Sequence, residues 1–179
     1  MQKPFNFQSW VRENEHLLKP PVGNKQLFER TDGMTVMIVG GPNQRVDFHD
    51  DPVEEFFFQQ RGDMMLKVHD RGRIEDIPIR EGEVFLLPPH MRHSPQRPVP
   101  GSVGLVVEGT RREDDRDGFE WFCFGCGERV HRVEVQVKDI VKDLPPLFTA
   151  FYGDPSLRTC RNCGAVHPGK EPPEGWVCL

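Results

Sequence analysis

GPNQRVDFHDDPVEEFFFQQRG at positions 41–62 and GEVFLLPPHMRHSPQR at 82–97 are the two stretches that decide how this chain is read. Each is bounded by glycine, and between them they offer His49, Glu55 and His93. Two imidazoles and one carboxylate are the donor set of a mononuclear iron site whose remaining positions stay open for a substrate and dioxygen. These residues are too far apart in sequence for one helix to gather them, so strands must do it. Glu54 competes with Glu55 for the carboxylate role, and alternation along the following apolar run favours Glu55.

Working outward, Thr35–Val39, Glu55–Gln60, Met64–His69, Ile74–Ile79, Glu83–Leu87 and Val103–Val107 are short β-branched or aromatic runs punctuated by Gly, Asp and Pro. Their spacing, about 8–12 residues, is that of a sandwich or barrel rather than of βαβ units. Asp70-Arg71-Gly72 predicts a hairpin turn. Before this region, Phe7–Leu18 has the apolar spacing of one helical face, which Pro20 and Pro21 end. After it, Thr110–Gly118 reads as a charged linker, Val130–Val137 as one more strand and Asp143–Tyr152 as a short helix begun by its prolines. The tail after Pro168, rich in Pro and Gly, is expected to be loosely ordered. The chain therefore divides at residue 110 into a β core with an N-terminal helix (1–110) and a cysteine-bearing extension packed on it (111–179).

The 179 residues carry 28 Asp+Glu against 23 Lys+Arg, so no basic surface points to nucleic acid. No apolar run reaches the ~18 residues of a membrane span, and the N-terminus lacks a signal peptide's apolar stretch. A cytoplasmic location is the expectation.

Cys123-Phe-Gly-Cys126 and Cys160-Arg-Asn-Cys163 form two Cys-x2-Cys turns, each followed by Gly. Four thiolates from two such turns make a tetrahedral site for Zn(II) or a rubredoxin-like iron. Such a site has no open position, so it is expected to stay outside the chemistry. Cys178 is unpaired, and His90, three residues before His93, is expected to lie outside the ligand set.

The paired blocks resemble the two motifs of the cupin superfamily, whose double-stranded β-helix is a jelly-roll barrel. Glu55-x6-Gly62, Gly82, Pro88 and His93 match. Asp47 stands where the first motif expects its leading His, His90 replaces an inner Gly, and Arg97 replaces an Asn. Loss of the first His leaves three ligands, which suits a substrate that chelates the metal.

The strings KPPVGN (19–24), GGPNQR (40–45), HDDPVEEFF (49–57) and LLPPHMRHSPQRP (86–98) further resemble the 3-hydroxyanthranilate 3,4-dioxygenase family, and WFCFGC (121–126) with VHRVEVQV (130–137) resembles its bacterial members. The likeness runs from Pro4 to Pro168. It implies a homodimeric Fe(II) enzyme that opens the ring of 3-hydroxyanthranilate with O2. The product would be 2-amino-3-carboxymuconate semialdehyde, a precursor of quinolinate and NAD.

The same resemblance implies residue roles. His49, Glu55 and His93 would hold the iron, Arg45 and Arg97 would bind the substrate with Glu55, and Glu108 would handle the proton of its hydroxyl. Asn24 and Arg45 would lie at the O2 position, and Cys123, Cys126, Cys160 and Cys163 would hold a second iron or zinc. A planar acid is oriented better by a guanidinium fork than by a lysine. One of the two arginines can instead pair with Asp47, Asp50 or another local acid. Two other readings remain: a three-ligand cupin dioxygenase acting on a thiol, and a non-catalytic, metal-dependent ligand sensor.

Overall fold

Side-chain alternation places the site before any long-range packing is considered. The computed structural model describes residues 3–20, 23–137 and 140–179; Pro21, read as part of the stop after the first helix, lies outside them. A first antiparallel sheet contains, in spatial order, β1 (Asn24–Gln26), β2 (Met34–Gly40), β9 (Val103–Gly109), β4 (Glu55–Arg61) and β7 (Val84–Leu87). The second runs β11 (Arg129–Val135), β10 (Asp117–Phe122), β3 (Asp47–Asp50), β8 (Arg92–Gln96), β5 (Met64–Asp70) and β6 (Arg73–Ile79). From β2 to β9 the chain crosses between sheets at every step except the β5–β6 hairpin. That path is the jelly-roll of a double-stranded β-helix, as the two motifs predict.

Along β4, Glu55, Phe57 and Gln59 point inward while Phe56 and Phe58 point out. Met37, Phe57, Met64, Leu66, Val68, Ile79, Leu87 and Val106 fill one end of the space between the sheets. The turn at Arg71 and Gly72 has φ of 47° and 79°, so both central residues take the left-handed conformation that a tight hairpin requires.

The N-terminal segment forms α1 (Phe7–Glu13), capped by the Asn6 side chain accepting from the Ser9 amide at 2.8 Å, and then a 3₁₀ turn at Glu15–Leu18. Val11 and Leu18 pack on Ile38 and Val103 from outside the barrel.

Most of the charged stretch read as a linker, residues 110–116, is a connection without helix or strand between β9 (Val103–Gly109) and the next strand. Its end begins β10, which pairs with β3 (Phe119 opposite His49) and with β11, so residues 117–135 extend the second sheet. Every residue of β10 is buried, which hides the alternation by which a strand is recognised. The helix begins earlier than its prolines suggest: α2 spans Ile140–Gly153, with Pro145 and Pro146 inside it. A short α3 (Pro155–Arg158) follows, with Pro155 at its first turn and the Asp154 side chain as its cap. The tail is anchored rather than loose. Trp176 donates its indole N–H to the Arg45 carbonyl at 3.0 Å.

Between α2 and β10, Phe151 stacks on Trp121 at a ring separation of 4.2 Å, and His167 lies against Phe151 and Phe124. Burial, reinforced by the Arg158 charge, depresses the His167 pKa from 6.5 to about 4. The unfolded chain takes up this proton first as the pH falls, so the stability contributed is complete above about 6.5 and is lost toward 4. His167→Gln should flatten the fall in denaturation midpoint across that window. An equal fall in wild type and variant would show that His167 does not carry the proton.

Candidate active site and metal centres

Three strands converge on one point of the barrel. His49 on β3 is the register partner of His93 on β8, and Glu55 on β4 faces both from the opposite sheet. The His93 Nε2 lies 3.1 Å from Glu55 Oε1, and the His49 Nδ1 lies 3.6 Å from the same oxygen. Glu55 is only 3% exposed, whereas Glu54 is exposed on the outside.

The far nitrogen of each ring is already engaged. His93 Nδ1 bonds the Met91 carbonyl at 2.9 Å, and a carbonyl accepts only, so Nδ1 carries the hydrogen. His49 Nε2 bonds Asp117 Oδ1 at 2.8 Å, and the ring stacks on Phe119 at 4.8 Å. In the neutral tautomers both rings then aim lone pairs at a carboxylate, an arrangement that requires a cation between them. A carboxylate or carbonyl behind each ligating imidazole is also the usual outer support of a metal site. Burial lowers the His49 pKa, yet Asp117 and Glu55 raise it to about 10. Burial raises that of Glu55, yet the two histidines hold it well below the ordinary value.

A cavity of about 140 Å³ opens beside this cluster, lined by Met37, Val39, Phe57 and Val106 on the apolar side and by Arg45, Arg97, Glu108 and Arg111 on the polar side. Asn24 reaches its rim from β1.

The two arginines paired in the sequence analysis are unlike. Arg45 forms an ion pair with buried Asp47; burial lowers its pKa, yet the Asp47 charge raises it above the ordinary value. Asp47, in the slot of the missing cupin His, is thus a partner to Arg45 and belongs to no ligand cluster among the described residues. Arg97 is 2% exposed, bonds the Gln59 side chain, and among the described residues has no carboxylate within 4.0 Å. Burial alone lowers its pKa to about 10, and its Nε has no partner. Its guanidinium lies flat on Gly104, where an added Cβ would come within 2.6 Å of Nη2.

Glu108 is opposite Glu55 on β9, and burial followed by the Glu55 charge raises its pKa. Arg111 donates to Glu108 at 2.8 Å, to Asp51 at 2.8 Å and to Asp117 at 2.7 Å. Arg111, Asp117 and Asp51 were missed from sequence, the first two because they fall in the supposed linker. His90 has φ of 61°, the left-handed turn conformation of the glycine it replaces, and its exposed ring reaches Asp50 instead of the cluster.

Cys123, Cys126, Cys160 and Cys163 come together at the end of β10 and after α3. The Cys123–Cys163 and Cys126–Cys160 sulfur separations are both 3.6 Å. A tetrahedron with metal–sulfur bonds of about 2.3 Å has edges of ~3.8 Å, so the spacing fits a metal and excludes disulfides. In each turn the amide after the second cysteine returns to the carbonyl of the first: Gly127 to Cys123 at 2.8 Å, Gly164 to Cys160 at 2.9 Å. Both glycines have positive φ, 77° and 76°. Cys178 is free and exposed.

Residues 1–152 match the family model of 3-hydroxyanthranilic acid dioxygenase. A protein of Shewanella woodyi named 3-hydroxyanthranilate 3,4-dioxygenase is 64% identical, with 98% of this chain and 92% of that one covered. One of the same name from Ruegeria pomeroyi is 63% identical over 98% of this chain and 97% of its own. Among solved structures, a cupin-2 domain protein of Shewanella frigidimarina is a more distant likeness, at 15% identity and a TM-score of 0.46, covering 59% of this chain and 100% of that one. With a buried His–Glu–His cluster, a cavity beside it and a family match over most of its length, the chain belongs to the 3-hydroxyanthranilic acid dioxygenase family.

Proposed function

We propose that the chain opens the ring of 3-hydroxyanthranilate with O2, giving 2-amino-3-carboxymuconate semialdehyde, with Fe(II) held by His49, Glu55 and His93. The observation that carries this reading is Arg97: a buried cation without a counter-ion among the described residues, on the wall of the cavity that the His–Glu–His cluster closes. Such a charge is costly unless an anion arrives to pair with it. The carboxylate of an aromatic acid supplies that charge and leaves its amine and hydroxyl to face the cluster.

The chemistry that iron supplies when bound is activation of O2 toward an electron-rich ring. The rest is done by side chains. Arg97 fixes the carboxylate through charge-assisted hydrogen bonds. Glu108, its pKa raised by burial, accepts the proton of the substrate hydroxyl, and Arg111 holds that carboxylate in place. Asp117 fixes the His49 ring. Met37, Val39, Phe57 and Val106 keep water from the ring, and Asn24 and Arg45 border the side from which O2 enters. Both oxygen atoms of O2 end in the semialdehyde, whose amine then condenses with the new aldehyde carbon, losing that oxygen as water, to give quinolinate without further catalysis.

The four-cysteine cluster is assigned a structural iron or zinc, consistent with four thiolates and no open position. A homodimer is proposed through the outer face of the first sheet, where the edge strand β7 exposes Val84 and Leu86 beside Phe56 and Phe58. Val84→Glu with Leu86→Glu should then sediment as a monomer; an unchanged species would place the interface elsewhere. Among the described residues no helix is long and apolar enough to cross a membrane, and a cytoplasmic enzyme is proposed.

Protein loaded anaerobically with Fe(II) and given 3-hydroxyanthranilate and O2 should build the semialdehyde's near-ultraviolet absorbance, which then decays to quinolinate. His49→Ala and His93→Ala should each reduce the rate to background. No absorbance from fully loaded wild type would refute the assignment. Gly104→Ala is a finer probe, because the nearest atoms its methyl would meet are those of the Arg97 guanidinium. It should fold with a lowered melting temperature, since overpacking a buried site costs about 1–3 kcal/mol, and raise KM roughly 10-fold or more, the scale of lost charge-assisted bonds. An unchanged KM would mean that the guanidinium's position does not matter.

A further inference from the structure

The ladder between β3 and β8 is short. His49 pairs with His93, and the next bridge is Asn43 to Arg97, with two more residues on the β3 side than on the β8 side. Arg45 therefore sits on a bulge whose backbone the ladder does not satisfy, opposite a stretch containing Pro95, which has no N–H to give.

Side chains complete it instead. Gln96 Oε1 accepts from the Arg45 amide at 3.1 Å, and Gln96 Nε2 donates to the Arg45 carbonyl at 2.9 Å. Ser94 Oγ donates to that carbonyl at 3.4 Å and Trp176 Nε1 at 3.0 Å. Trp176 comes from the last residues of the chain and does not line the cavity.

The indole is itself held on three sides. Phe48 of β3 meets it edge-on at 6.4 Å, Lys67 Nζ lies 4.3 Å from its ring centre, and Phe124 meets it edge-on at 5.1 Å. Phe124 belongs to the Cys123–Cys126 turn. An unbroken run of contacts thus leads from the thiolate cluster through Phe124 and Trp176 to the backbone of Arg45, whose side chain borders the cavity.

We propose that Trp176 is a positioning residue for Arg45, pinning the bulge through its indole N–H, and that the cysteine turn keeps the indole in place through Phe124. This rests on the proposed reading of the cavity as the substrate and O2 site, with Arg45 on its wall. The cysteine cluster then acts on ligand binding without touching ligand, and the tail is part of the active-site scaffold. Two donors to the Arg45 carbonyl remain when the indole is lost, so the bulge should shift without the fold failing.

Trp176→Phe keeps an aromatic ring between Phe48 and Phe124 while removing the N–H donor and part of the ring system. In the full-length Fe(II)-loaded enzyme it should raise KM about 5-fold, the scale of one neutral hydrogen bond, with kcat and melting temperature nearly unchanged. Anaerobic calorimetry with 3-hydroxyanthranilate should show the same factor in Kd. In an Arg45→Ala background the same substitution should change neither constant. Unchanged KM and Kd in Trp176→Phe, while Arg45→Ala raises both, would overturn the proposal. So would an effect of Trp176→Phe that persists without the Arg45 side chain. If Arg45→Ala itself leaves both constants unchanged, the assignment of Arg45 fails and the proposal fails with it.

Discussion

Glu55 lies on the inner face of β4, nearly sealed from solvent, with Glu108 opposite it on β9 and Asp51 close by. Carboxylates gathered in a dry barrel cost several kcal/mol each unless positive charge is brought to them. Much of the surrounding structure answers that requirement. Arg111 reaches Glu108, Asp51 and Asp117 at once, and Asp117 in turn holds His49. The remaining deficit, at the point where both imidazoles and Glu55 converge, is the place for a divalent ion. On the proposed function, a metal would complete a charge arrangement that the folded chain has already built.

Arg97 is the opposite case within the same cavity. Among the described residues its buried positive charge has one side-chain acceptor and no carboxylate, so the cavity wants a cation at one end and an anion at the other. Arg45, matched to it in the sequence reading, is compensated by Asp47. On the proposed function, that difference gives the two unequal work: Arg97 would recognise the acid, and Arg45 would shape the mouth. Gly104 takes part by leaving room for the guanidinium plane.

The barrel and the three convergent donors were legible because both depend on local rules. The period of two along β4 turns Glu55, Phe57 and Gln59 inward, and glycine-bounded blocks mark where strands end. The four-cysteine cluster was legible because each Cys-x2-Cys turn carries its own geometry. Arg111, Asp117 and Trp176 were not. Asp117 acquires its role only by pairing β10 with β3, 68 residues away, in a strand buried on both faces and so without alternation. Arg111 sits in a run of mixed charge that reads equally as a solvated linker. Trp176 acts on a carbonyl 131 residues earlier, a contact that no periodicity announces.

The central claim is that the cavity selects its substrate by pairing a carboxylate with the uncompensated Arg97. It is tested most directly by anaerobic calorimetry on the Fe(II)-loaded protein, comparing 3-hydroxyanthranilate with 2-aminophenol, which keeps both donor atoms and lacks only the carboxylate. The account predicts that the acid binds at least about 10-fold tighter and that Arg97→Ala removes most of the difference. Equal affinities for the two compounds in the wild-type protein would contradict it.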